Sequence, residues 1–556
     1  MFRIKSKDEI KGLFFAFIVP LLYVLINLVL KIRYVSYPSL ANDEPFSVYH
    51  AQYSISTILS ELSQGNNPPL YEIFLHIWIS FFGISELSVR FPSVIFSSLT
   101  IYFIYQICRK YFNLKVAFLA VTLFTLSNYQ MYFAHEARVY ALFVLLSTVS
   151  MYQFLKLLSS NYAKLDVVLY IVIGVLLLYS HFFSWFIFFV QFIGLVISFK
   201  KEEIMRFGKY LGIILIFYLP YVGIFIARFI DSSGGTWIKA VENLRPLHVY
   251  FGKLVNDTHI AYIVVLTLAW VIIQKYITHF FKRNLIRFGF IFLSIVILII
   301  SLSIRIPLFP SYLIPLENEF LSPLLMVSFL LFFFVLFVHF QMKSGQNYET
   351  KVILSWFFLP GFIMFVSSFI IPMFIERYLV FIVPGFLIFL SVSISKLDSK
   401  LFPSLAILLI ILMLIPFKPV TNNDRDVKAL VAKVKAQHEN GNSAIFMCPD
   451  YFGPTFTYYF NKELFTHTEG QNPSGHLKTV LSDENVFLVK SDHEVDSISK
   501  LNNYEKFIYI DADADFAYSD NNIKNYLNDK LKGDSVSIDS TYFPGIFNVY
   551  TYSINE

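Results

Sequence analysis

The chain has 556 residues, 56% of them hydrophobic and only 15% charged, and 63 Phe with 35 Tyr bring the aromatic share to 19%. A soluble surface needs roughly 25% charged residues, so soluble, disordered, collagen-like, coiled-coil and disulfide-scaffold classes are excluded. The net charge of +5 is the sum of +13 over residues 1–419 and −8 over residues 420–556, which divides the chain into a basic lipid-facing region and an acidic tail.

Apolar runs close to bilayer length are expected near 12–30, 91–108, 116–133, 139–157, 166–180, 182–199, 210–227, 258–276, 288–304, 321–340, 352–371, 378–395 and 401–417. That makes an all-α polytopic membrane protein with about 13 spans. The first run is too long and too poor in small residues for a removable signal peptide and reads as a signal anchor. With Arg3, Lys5, Lys7 and Lys11 on the cytoplasmic side, alternate loops hold Arg109, Lys110 and Lys115, then Lys156 and Lys164, then Lys200, Lys201, Arg206 and Lys209. The same holds at 275–287, 343–351 and 396–400, as the positive-inside rule requires. An odd span count then puts the acidic tail on the far side of the membrane.

The loop after the first span, about 31–90, holds structure of its own. Residues 45–62 suit a short helix, and Pro68 and Pro69 open another. In that second segment Leu70, Ile73, Phe74, Ile77, Trp78 and Phe81 share one face, while Glu72, His76 and Ser80 line the other. Such a helix suits the plane of the membrane interface. The tail alternates a helix at 426–438 with strands at 443–448, 486–489 and 506–510 and a closing arm at 542–553, which predicts a small α/β domain. Cys108 and Cys448 are too few and too distant to form a framework. The basic residues form no continuous patch, so nucleic acid is not a partner. The Asp511, Asp513, Asp515 run superficially suggests a calcium loop, but Phe516 and Asn522 stand where glycine and glutamate are needed.

The spans are nearly free of charge at mid-depth. Ionisable residues gather instead at ends assigned to one outer side: Asn42-Asp43-Glu44-Pro45, Asn66-Asn67-Pro68-Pro69, His135-Glu136-Ala137-Arg138, His181 and Glu376-Arg377. Carboxylates beside arginines there suit a lipid-phosphate donor. A carboxylate can deprotonate an acceptor hydroxyl, and arginine neutralises charge growing on a phosphate leaving group. Each residue also has a plainer reading. Asp43 or Glu44 would serve as an N-cap, Arg138 and Arg377 would snorkel to headgroups, and His135 and His181 would bond at helix ends.

Taken in order, Asn42 to Phe46, Asn67-Pro68-Pro69-Leu70-Tyr71, Phe82 to Ser93, His135 to Leu142, Ser180-His181-Phe182 and Glu376-Arg377-Tyr378 ahead of Pro384 resemble the bacterial branch of the dolichyl-phosphate-mannose protein mannosyltransferases. That branch includes the aminoarabinose transferases, and its fold is GT-C. The resemblance covers about residues 35–395. It implies a transmembrane catalytic domain, here over 1–419, in a bacterial plasma (inner) membrane, while loop charge and span parity put the N-terminus in the cytoplasm and the α/β domain over 420–556 outside. It also implies inverting transfer of a sugar from a polyprenyl-phosphate donor to a lipid, glycan or protein acceptor. Asp43 matches the catalytic aspartate and Glu44 its supporting neighbour. Arg138 and Arg377 match donor-phosphate contacts. Asn67, His135, Glu136 and His181 are the substrate-binding candidates: His135 and Glu136 lie in the second-loop motif that suits acceptor positioning, His181 matches a recurrent histidine of no assigned role, and Asn67 could hydrogen-bond sugar or phosphate. Asn66 stands where aminoarabinose transferases place a metal-binding glutamate, and Asn67 where they place a lysine. The resemblance leaves a divalent cation as an open cofactor, with Asn66 in place of the family's metal-ligand carboxylate. The rival class is a transporter or flippase of a lipid-linked sugar, which usually carries polar groups at mid-depth.

Overall fold

A computed structural model of the chain describes residues 12–264 and 348–554, apart from short gaps that include Asn66. Among the described residues, six helices are long and apolar enough to cross a membrane: Phe14–Ile32, Glu86–Tyr111, Tyr140–Ser159, Lys201–Ser233, Tyr348–Ser367 and Glu376–Ser395. Leu114–Thr125 and Asn128–Ala134 make a seventh if counted as one span bent by 60°. The expected run at 116–133 is thus broken. Ser127 turns out of the helix and accepts a hydrogen bond from the Gln130 amide, which competes with the helical ladder. The expected runs at 166–180, 182–199 and 401–417 take shorter forms, as Lys164–Leu178, Phe182–Ile197 and Phe402–Leu414. The expected spans 288–304 and 321–340, and most of 258–276, lie outside the described residues.

Burial sorts the spans. Tyr140–Ser159 and Glu376–Ser395 are 83% and 89% buried, so they form the centre of the bundle. Phe14–Ile32 and Lys201–Ser233, at 22% and 17%, are peripheral, and side chains such as Leu25, Val29, Ile216 and Phe229 point outward. Several polar groups inside the bundle bond locally or to one another, as an apolar medium favours. Thr148 donates to the Val144 carbonyl, Gln191 to Ser150 at 3.0 Å, and Tyr170 to Gln191 at 2.6 Å.

The loop after the first span forms three helices rather than two: Glu44–His50, Ile55–Ser63 and Leu70–Phe82. The expected helix over 45–62 is split because Ser54 caps the second piece, accepting from the Thr57 amide. In Leu70–Phe82 the side carrying Glu72 turns inward, with Tyr71, Glu72, Leu75 and Ile79 buried, while Ile77, Phe81 and Phe82 are exposed. A helix at the membrane rim behaves this way when lipid, not water, covers its outer face.

The tail carries a five-stranded sheet in the order β2-β1-β3-β5-β4, where β1 is Ser443–Cys448, β2 Val486–Leu488, β3 Lys506–Ala512, β4 Val536–Phe543 and β5 Phe547–Ile554. β1 runs parallel to β2 and β3, and β5 lies antiparallel between β3 and β4. The sequence reading missed β4 and so saw only one arm of the closing hairpin. Strand alternation splits the core in two. Ile445, Met447, Ile508 and Ile510 join a core continuous with the membrane bundle. Phe446, Phe507, Tyr509 and Tyr552 form a separate cluster on the other face.

Candidate functional site

A strained turn presents the first candidate. Asn42 sits in the left-handed region at φ 55°, a conformation asparagine tolerates better than most residues. Asp43 follows at the N-cap of Glu44–His50, yet its side chain makes no cap hydrogen bond. Its Oδ2 instead lies 2.8 Å from Arg377 Nη1 and 3.8 Å from Arg138 Nη2. Burial alone would raise the Asp43 carboxyl, but Arg138 and Arg377 outweigh it and hold the group below the usual carboxylate range. The side chain remains 44% exposed.

Arg138 is buried, not snorkelling. Its Nη1 donates to Ser47 Oγ at 2.6 Å, and that hydroxyl donates to Glu72 Oε1 at 3.0 Å. Glu72 Oε1 itself lies 3.9 Å from Arg138 Nη1. Two carboxylates, Asp43 and Glu72, therefore flank one guanidinium. Arg377 enters from the 3-10 turn Glu376–Ile382.

Glu44 has a different task from its neighbour. It takes Arg90 in a bidentate pair, with Nε to Oε1 at 2.7 Å and Nη2 to Oε2 at 2.6 Å. Arg90 also donates to the carbonyls of Val35, Pro38 and Ser39 at 2.8–2.9 Å, which uses all five guanidinium N–H groups. Glu44 Oε1 further accepts from the Ala137 amide at 2.8 Å. This buried knot ties the first loop to the turn that carries Arg138. Glu44 thus faces inward, away from the open side of Asp43.

The remaining expected residues separate by surroundings. His135 bonds on both ring nitrogens, to Thr421 Oγ1 at 2.8 Å and to the Lys31 carbonyl at 2.7 Å, and burial lowers it to about 4. That makes it a structural pin rather than a group open to substrate. Glu136 is buried, with no hydrogen bond to Oε2 among the described residues. It borders a crevice of about 10 Å³, room for roughly one water, together with Asn42, Glu44, Tyr132 and Thr421. Burial, then Glu44, push its carboxyl up to about 8, against the pull of Arg138. His181 stacks on Phe143 at 4.6 Å and packs against Phe183 and Tyr378. Its Nδ1 accepts from the Phe183 amide, so the neutral ring carries its proton on Nε2, for which the described residues offer no acceptor. Burial, then Arg138 and Arg377, lower it to about 3. Asn67 is half-buried just ahead of Leu70–Phe82.

Sequence reasoning gave no role to Arg90, Ser47 or Glu72. The polar stripe of Glu72, His76 and Ser80 was the available signal, but it reads equally well as a wetted face. Asn66 lies outside the described residues, and among the described residues no three His, Cys, Asp or Glu side chains are grouped to hold a metal ion.

Among solved structures, the chain is similar to ArnT from Cupriavidus metallidurans in the apo state, at 12% identity and TM-score 0.43, covering 96% of this chain and 97% of that one. The same transferase bound to undecaprenyl phosphate gives 12% and 0.47 over the same shares. The archaeal oligosaccharyltransferase AglB from Archaeoglobus fulgidus, in complex with an inhibitory peptide and a dolichol-phosphate, gives 12% and 0.47, covering 96% and 74%. No curated protein sequence matches the chain significantly. Residues 66–224 match the family described as dolichyl-phosphate-mannose-protein mannosyltransferase, a stretch that includes Asn67, the His135–Arg138 turn and His181.

Proposed function

We propose that the protein is a membrane glycosyltransferase that moves a sugar from a polyprenyl-phosphate donor to an acceptor hydroxyl or amine, with inversion. The observation that carries this reading is the Asp43 carboxylate set against Arg377 at 2.8 Å and Arg138 at 3.8 Å, beside a segment matching the mannosyltransferase family. The acceptor oxygen or nitrogen attacks the anomeric carbon from the face opposite the phosphate. The bond from that carbon to the phosphate oxygen breaks, and its electron pair leaves with the polyprenyl phosphate. Arg138 and Arg377 neutralise the charge that grows there, and Asp43 takes the acceptor proton. Glu44 holds the loop through Arg90, while Asn67, Glu136 and His181 border the substrates. His135 supports them from behind.

The division into a catalytic region over 1–419 and a tail over 420–556 is part of this reading, as is a bacterial plasma membrane with the tail outside. Arg109 and Lys110 in the last turn of Glu86–Tyr111, the end away from the site, support that orientation, while Arg90 at the site end is neutralised by Glu44. Twenty-six residues span about 39 Å at 1.5 Å per residue, enough to cross a bilayer.

The test uses purified protein in liposomes with a polyprenyl-phosphate sugar. Asp43→Asn is expected to lower transfer by about 10²–10⁴-fold, the usual contribution of a positioned base, with insertion intact. Full activity in that variant would remove the assignment. Donor that crosses the bilayer unconsumed by the wild type would point to a flippase instead.

A further inference from the structure

Asp43 is badly placed to act as a base in the state described. A single oxygen, Oδ2, faces both guanidiniums, and a carboxylate so paired holds its electrons against a proton. The two arginines, however, are the groups that a donor phosphate would need. Their arrangement does not depend on Asp43 alone. Arg138 is held from the opposite side by Ser47 at 2.6 Å and by Glu72 at 3.9 Å. Arg377 lies over the Tyr378 ring at 5.8 Å. Asp43, by contrast, is 44% exposed and bonds no helix amide through its side chain. The fixed partners are cationic, and the loosely held one is the anion.

Resting on the transferase reading, we infer that the Asp43 carboxylate occupies the donor phosphate's seat until the donor arrives. The arriving phosphate displaces it from Arg377 and Arg138, and only then is it free to accept a proton. Phosphate competes well because its oxygens match the guanidinium fork. The same side chain is thus an obstacle to the donor and, once displaced, the base for the acceptor. Donor binds before acceptor in this scheme, and the base is switched on by the substrate it must serve.

The consequence runs against ordinary expectation for a catalytic residue, because removing its charge improves donor binding. Affinity for a polyprenyl phosphate without sugar is measured on the full-length protein in nanodiscs, for wild type, Asp43→Asn and Asp43→Ala. Uncharged polyprenol serves as the control. Both variants are expected to bind the phosphate about tenfold more tightly, with polyprenol affinity unchanged. Because Asp43 is half-exposed, neither variant opens a cavity, and retained polyprenol binding reports an intact groove. Unchanged or weaker phosphate binding in both variants would overturn the inference while leaving the transferase reading standing. A wild type that binds phosphate no better than polyprenol would instead sink that reading.

Discussion

Glu44 and Glu136 lie close enough to repel each other, yet only one has a bound cation. Glu44 is paired to Arg90, whereas Glu136 Oε2 has no hydrogen bond among the described residues and its carboxyl rises to about 8 through burial, then the charge of Glu44. A folded state that keeps this proton while the unfolded chain ionises near 4.3 loses stability as pH rises from about 4 to about 8. Glu136→Gln mimics the protonated group and should flatten that decline. Between pH 6 and 9 the wild type is expected to lose roughly 1–3 kcal/mol, a few degrees in Tm, that the variant keeps. Parallel thermal-unfolding profiles for the two proteins would show that another group titrates. Residues of this kind are poorly legible in sequence, since burial and charge neighbours are set by distant segments. Asp43, Arg138 and Arg377 stood out as an outer-end group, but nothing local told Glu44 from Asp43. Glu72 read as the wet side of an interfacial helix because its partner Ser47 lies 25 positions away.

Among the elements, the short helix Glu44–His50 and the start of Glu86–Tyr111 act as one unit through the Glu44–Arg90 pair. Removing one partner of a buried pair typically costs 3–5 kcal/mol, because the other charge is stranded. Arg90→Ala is accordingly expected to lower stability by about that amount and to expose the first loop to protease. Thermal unfolding and limited proteolysis report both effects, and a variant as stable and resistant as wild type would mean the knot does not hold the loop. Hydropathy located most helices well, since the transfer cost of a run is a local sum. It did not foresee the breaks at Ser127 and Ser54, where one hydroxyl bonding a nearby amide competes with the ladder. Glu376–Ile382 likewise winds as a 3-10 turn before the central span, which no periodicity reveals.

Across the whole molecule the tail is fastened to the loop after the first span. Tyr459 OH accepts from the Leu40 amide at 2.5 Å and donates to Glu86 at 3.0 Å. Tyr458 donates to the Ile84 carbonyl, Asn423 to that of Ser39, and Tyr49 to that of Pro473. The loop bearing Asp43 is thus clamped between the bundle and the tail. Tyr459→Phe removes two of these bonds, about 1–3 kcal/mol together. It should slow transfer severalfold and hasten protease cleavage of the loop while leaving the sheet folded, as far-UV circular dichroism would report. Unaltered turnover and cleavage would mean the clamp has no bearing on the site. Composition, run length and loop charge, all sums over neighbours in the chain, were enough to determine a polytopic helical membrane protein with a small α/β tail. Whether Asp43 meets Arg377, 334 positions away, and which glutamate receives which arginine, depended on packing between elements. Only the tertiary structure could decide them, because the energy of a buried charge belongs to the surroundings that remove its water.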